Sequence, residues 1–169
     1  MNLSLLLAAA IFAASALVGP AADASMNPMR PQAVVAGVSV ACRDFRGIPV
    51  HTVRVADLGD VGRAWLVNRV PMIVLDEKVL DRLPDKLQLF FYGHECAHHV
   101  LGHTVLYRPD RESEADCWAI KDGRERGVFS RSEVESFAPF LAASRGSTIT
   151  GHLPGPARAK HLLKCFDEP

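Results

Sequence analysis

His94-Glu95-Cys96-Ala97-His98 places two histidines four residues apart. On a helix, positions i and i+4 share a face, so both imidazoles can grip one metal ion. Glu95 lies about 100° round the same helix, where it can reach a water held on that ion. The pattern points to hydrolysis by a metal-activated water. The plain alternative is a buried helix with two hydrogen-bonded core histidines, and the flanking sequence must decide.

Immediately around the motif, Leu87, Phe91, His94, His98 and Leu101 recur at helical spacing, so the histidines continue an apolar stripe and face the interior. This predicts a helix over residues 85–101, with Pro84 near its first turn and Gly102 as a left-handed cap. Leu89, Phe90, Cys96, Ala97 and Val100 widen its apolar surface. Polar groups on such a helix need partners, and a metal ion satisfies both imidazoles at once.

Two histidines leave a zinc site underfilled. A glycine turn returning the chain to a third histidine, in the pattern HExxHxxGxxH, does not fit, because Leu101 and Thr104 occupy the required places. The other route is a following helix. Pro109 and Asp110 predict a helix start at Arg111, with Asp110 as cap and Gly123 or Gly127 at the end. In it, Glu112 and Asp116 fall at i and i+4 on one face. Glu112 can bind the metal, while Asp116 accepts a hydrogen bond from the second ring nitrogen of a ligand histidine. Glu114 is about 160° round from Asp116 and is the weaker ligand candidate. For any single glutamate, a solvated acidic helix face is the competing reading. His99 points off the metal face and His103 lies beyond the cap, so neither is expected as a ligand, and a place near the cleft rim stays open for His103.

Upstream of the motif, residues 38–40 and 50–55 read as strands or as a short helix followed by a strand, and residues 64–68 and 72–75 suit a small sheet, with a turn at Gly59-Asp60-Val61-Gly62. His51 reads as a strand surface residue. Pro71 suggests a sheet edge, where an extended peptide could add as a further strand. Downstream, Ser130 and Glu133 form a capping box flanked by Phe129 and Val134, predicting a helix that runs to about residue 144 and kinks or stops near Pro139. A loop over 146–155 holds His152, and a final helix over 156–166 carries Arg158 and Cys165. The fold class is therefore α+β, with a small N-terminal sheet packed on the motif helix and the helices after it.

Residues 1–24 differ from the rest. Positions 3–18 are uncharged and apolar or small, Gly19-Pro20 breaks any helix, and Ala22-Asp23-Ala24 offers small residues before a cut at Ser25. This reads as a secretory signal peptide, with an uncleaved membrane anchor as the alternative. Residues 25–36 read as a flexible lead-in, leaving one domain over 37–169. After leader removal no stretch is apolar enough to span a membrane. The location is then secreted or periplasmic. An oxidising compartment suits the four cysteines. The favoured pairings are Cys96–Cys117, since each abuts a metal-binding segment, and Cys42–Cys165, which would tie the ends together. The 169 residues are 49% hydrophobic and 22% charged with zero formal net charge, a globular balance with no basic field for nucleic acid.

His94-Glu95-x-x-His98 followed by Glu112-Ser113-Glu114-Ala115-Asp116 resembles the HExxH plus ExxxD pattern of gluzincin metallopeptidases, most closely the group containing HtpX-like and CAAX prenyl proteases. The resemblance covers residues 73–165 and is specific at the two motifs. It implies a zincin-like fold, one Zn2+ per chain, and Glu112 as third ligand with Asp116 supporting it. His152-Leu-Pro154-Gly-Pro-Ala-Arg158 is similar to that family's His-Pro…Arg segment, which implies a catalytic or metal-covering role for His152 and a supporting one for Arg158. The larger members carry transmembrane helices that this chain lacks beyond its leader, so the expectation is a minimal soluble version acting on a polypeptide substrate. The rival expectation is a zinc-binding envelope assembly or chaperone-like factor, non-catalytic or with latent activity.

Overall fold

The computed structural model describes residues 32–142 and 152–169. The expected signal peptide, the start of the lead-in and most of the loop before His152 lie outside the described residues. The lead-in ends earlier than expected, because β1 (Gln32–Val35) pairs antiparallel with β2 (Val38–Ala41). Ala36 and Gly37 make the turn with φ of 49° and 74°. Two successive left-handed residues match the right-handed twist of a tight hairpin. Val35 then becomes fully buried core, which a mobile segment would not provide.

A second sheet contains β3 (His51–Val55), β4 (Gly62–Val67) and β5 (Val70–Asp76) in the order β3-β5-β4. β5 runs parallel to β3 and antiparallel to β4. The expectation that Pro71 marks an edge is overturned: its strand is the central one. Val67 and Val70 close a two-residue turn at Asn68-Arg69, with φ of 50° and 68°. The next pair, Leu66 and Pro71, is then non-hydrogen-bonded. The missing proline N–H is directed towards β3, whose pairing begins only at Met72. The open edge beside the motif helix is β4.

Asp76 closes β5 and caps α1 (Glu77–Leu80), accepting hydrogen bonds from the Lys78 and Val79 amides. The motif helix is α2 (Asp85–Val100), within a residue of its expected bounds. It packs against β4 and β5 on one side and against α3 (Arg111–Glu125) on another. Asp110 stands at the expected N-cap position, but its side chain makes no capping bond, because its backbone is not extended (φ −95°, ψ 10°). The Ser130–Glu133 capping box opens α4 (Arg131–Glu135) as expected. The helix expected to run on and to kink or stop near Pro139 breaks a few residues earlier, after Glu135, with Pro139 in the first turn of a separate α5 (Ala138–Leu141). Proline is tolerated in a first turn, where no amide partner is needed, so it starts a helix here rather than ending one. The last helix, α6 (Gly155–Asp167), lies on α3, α4 and α5.

The architecture is α+β. Ile73, Leu75, Leu87, Phe90, Ile120 and Leu162 are fully buried where the β4–β5 layer, α2, α3 and α6 meet. Two glycines permit close approach: a Cβ at Gly62 would lie 3.0 Å from Glu95 Cγ, and one at Gly93 would lie 3.4 Å from Ala119 Cβ. Among the described residues, no helix is long and apolar enough to cross a membrane.

All four cysteines are disulfide-bonded, but as Cys42–Cys96 and Cys117–Cys165, which corrects both favoured pairings. Cys96 and Cys117 each sit beside the metal-facing positions of their helices. Cys96 is two residues, about 200°, from both His94 and His98, and Cys117 is one residue, about 100°, from Asp116, which turns Cys96 towards the segment after β2 and Cys117 towards α6. Each bridge thus braces one of the two helices that carry the ligand set. Closing loops with sequence separations of 54 and 48 removes about 4 kcal/mol of chain entropy each from the unfolded state.

Candidate metal centre

The helical spacing read from the sequence brings His94 and His98 together at the face of α2 opposite Glu112 of α3. His94 Nε2 and His98 Nε2 are 3.2 Å apart, and Glu112 Oε2 lies 3.3 Å from the first and 3.4 Å from the second. Four-coordinate binding at 2.0–2.1 Å gives ligand–ligand edges of about 3.3–3.4 Å. The triangle therefore has the dimensions of one face of a tetrahedral site. All three side chains are buried. Glu112 Oε2 accepts no well-aligned hydrogen bond although His152 Nε2 is 2.8 Å away, while Arg111 Nε holds Oε1 at 3.2 Å. An oxygen buried without a bond costs stability unless something else binds it, and a cation between the three donors would do so. The set of two imidazoles and a carboxylate can hold a metal ion.

The electrostatics follow from burial and the neighbours. Burial works against ionisation of Glu112, but His152, His94 and His98 outweigh it and hold the carboxyl far below the usual range. Burial likewise works against charge on His94, yet Asp116 and Glu112 raise it to about 9. His98 is pushed down by burial, which favours the neutral ligand form. Glu95 is pushed up, first by burial and then by the Asp60 and Glu112 carboxylates, against His94 and the Ala64 amide. A carboxylate made more basic beside three metal donors is suited to taking a proton from water.

Each ligand histidine has its second nitrogen held. Asp116 Oδ1 accepts from His94 Nδ1 at 2.8 Å, as expected. Arg158 donates to Asp116 through Nε at 2.9 Å and Nη2 at 2.6 Å, and its guanidinium lies over the rings of Phe90 and Phe91. Arg158 therefore acts on the site through Asp116. His152, expected near the metal, has its ring stacked 6.0 Å from that of His94 and its Nε2 beside Glu112.

The support of His98 was not foreseen. α2 ends in a Schellman motif: Gly102, with φ 75°, lets the His103 amide bond to the His98 carbonyl and its own amide bond to that of His99. That motif carries the residue after the glycine back against the helix. His103 Nδ1 consequently lies 3.1 Å from His98 Nδ1, and its Nε2 lies 2.9 Å from Glu114 Oε2. With His98 presenting Nε2 to the centre of the donor triangle, its Nδ1–H donates to His103, whose Nε2–H donates to Glu114. Arg108 anchors Glu114 at 2.8 Å. The signal was present in the sequence, since a glycine cap after His98 predicts contact between residues 98 and 103. His99, by contrast, is buried with Nε2 on the Met72 carbonyl and takes no part in the site.

His94, Glu95, His98, Glu112 and His152 line a cleft of about 410 Å³ whose walls include Asp60, Phe91, Thr104, Arg111, and Gly62 and Ala64 of β4. Comparison with protein families, curated proteins and solved structures yields no match to this chain.

Proposed function

We propose that this chain is an exported zinc-dependent endopeptidase with a zincin-like fold of the gluzincin kind. The observation that carries the reading is Glu95 buried beside a triangle of His94, His98 and Glu112 donors, at one end of an open cleft. Two imidazoles and one carboxylate suit zinc, with a fourth position left for water or substrate. Bound there, zinc would acidify a water and polarise the scissile carbonyl.

The residues of the chain do the rest. Glu95 accepts the proton of the attacking water on its carboxylate and returns it to the leaving amine. Burial and the neighbouring acids raise its proton affinity for the first half of that cycle. Asp116 and His103 hold the two ligand imidazoles in one tautomer each. His152 stands at the rim of the triangle, where its ring can donate to the developing oxyanion. Strand pairing alternates, so the Leu66 backbone groups and the Ala64 carbonyl face outwards on the free side of β4, while the Ala64 amide serves Glu95. A substrate polypeptide can align along that edge, and β4 takes over the role first given to the Pro71 strand. The two disulfides support maturation in an oxidising compartment outside the cytoplasm.

The test is metal content and peptide-library cleavage on the wild type and on Glu95→Gln. The variant is expected to retain one zinc per chain and to lose cleavage by about 10²–10⁴-fold. Undiminished cleavage by the variant would sink the mechanism. Zinc retention with no cleavage by the wild type would favour the envelope assembly factor.

A further inference from the structure

A second donor cluster lies on the other side of α3. Cys117 comes from α3, while His161 and Cys165 are one turn apart on α6. His161 Nε2 is 3.5 Å from Cys117 Sγ and 3.5 Å from Cys165 Sγ. We propose that Cys117, His161 and Cys165 form a thiol-gated metal site, closed as the disulfide and opened by a dithiol reductant, for a thiophilic cation such as Zn2+ or Cu+.

The distances carry the argument. Zinc bonds of about 2.3 Å to sulfur and 2.0–2.1 Å to nitrogen, at a tetrahedral angle, imply sulfur–nitrogen edges of about 3.6 Å. Both such edges are already in place. Only the two sulfurs must separate, to about 3.8 Å, and they lie on different helices whose side chains can turn. In the disulfide form His161 Nε2–H donates to the Ser113 carbonyl at 3.2 Å. In the metal form the proton moves to Nδ1 and the Nε2 lone pair turns to the cation. Two thiolates and an imidazole are soft to borderline donors, unlike the His94, His98 and Glu112 set.

The chemistry balances simply. A dithiol transfers two electrons to the Cys117–Cys165 bond, which breaks, and closes to its own disulfide. Its two protons pass to the Cys117 and Cys165 sulfurs, and the bound cation then displaces both into solvent. Access favours this bridge over the other one. Cys117 and His161 are half-buried, so a reductant can reach the Cys117 sulfur although Cys165 is buried, whereas Cys42 and Cys96 are both buried and belong to no such cluster among the described residues. The proposal stands independently of the peptidase reading, since its ligands and its gate are separate.

The experiment is titration of the full chain with Co2+, before and after mild dithiol treatment, watching sulfur-to-cobalt charge-transfer absorption, which only thiolate ligation produces. The expected result is no such band in the oxidised chain and one thiolate-bound Co2+ per chain after reduction. Alkylation mapping should find Cys117 and Cys165 open and Cys42–Cys96 intact. His161→Ala should weaken Co2+ by more than the roughly 10–100-fold that loss of an outer partner costs. Cys165→Ser should abolish the two-thiolate band. No band in the reduced wild type, or Cys42–Cys96 opening first, would overturn the proposal. So would an unchanged affinity of the thiolate-bound Co2+ in His161→Ala, or an undiminished band in Cys165→Ser.

Discussion

His94 and His98 stand one helical turn apart and present the same nitrogen to the same point, yet they are held in opposite ways. His94 is held from the interior. Its partner Asp116 is only 4% exposed, is depressed to about 2 because His94 and Arg158 overcome its burial, and is gripped by a guanidinium that is itself buried. His98 is held from the rim, through a second imidazole and a Glu114 side chain that is 32% exposed. One arm is a charge pair inside the core, where a missing partner costs heavily. The other ends in solvent, where water can replace a lost group. The difference teaches that orienting a ligand and stabilising the fold are joined on one side of this site and separable on the other.

Removing Asp116 should give the largest effect. Asp116→Ala leaves Arg158 buried without its anion, for an expected loss of about 3–5 kcal/mol of stability, and it frees the His94 ring, for about 10–100-fold in metal affinity. Denaturant unfolding and a competitive chelator titration measure the two losses separately. The double variant Asp116→Ala/Arg158→Met breaks the comparison open. An apolar pair of similar volume can replace a buried ion pair at little cost. Stability should therefore return while metal affinity stays low. If both return together, Asp116 serves the fold alone and does not orient His94.

His103→Ala should come next, lowering metal affinity by roughly tenfold, at the lower end of the range for outer partners. His103→Gln can still accept from His98 through its amide oxygen, and should recover part of that loss. Faster metal release in the alanine variant, measured with a chelator trap and partly reversed in His103→Gln, is the signature of lost orientation. Equal release rates in wild type and His103→Ala would remove His103 from the support of the site.

How much of this could be read from the chain depended on whether a contact was local. The stripe through His94 and His98, and the i, i+4 pair of Glu112 and Asp116, are periodicities within one helix, and both hold in the structure. The His103 contact was also local, since it follows from the glycine cap, but it was overlooked because His103 stands outside the helix. Glu114 turns away from the His94–His98–Glu112 triangle as its angle required, and that same angle lets it reach His103 instead. The cysteine pairing and the central place of β5 were of another kind. They depend on which distant segments lie against α2, α3 and β3, and no spacing within a helix or strand encodes that. Pro71 misled because a proline is excluded only from positions whose amide must donate, and its own amide faces a gap in the ladder.

The smallest expected effect lies at the outer end of the rim arm. Glu114→Gln keeps an oxygen that can accept from His103 Nε2–H, but loses the charge that Arg108 pairs with. An exposed pair of this kind contributes about 0–1 kcal/mol, so stability should shift by no more than about 0.5 kcal/mol. Metal release should quicken only a few-fold, because the His98–His103 bond survives and water can complete the relay. The corresponding change on the other arm, Asp116→Asn, also keeps an oxygen, yet it strips the anion from a buried Arg158 and should cost several-fold more in both measurements. If the two amide substitutions prove equal in stability and in metal release, the distinction between a core-held and a rim-held histidine fails, whatever the exposures of the two carboxylates.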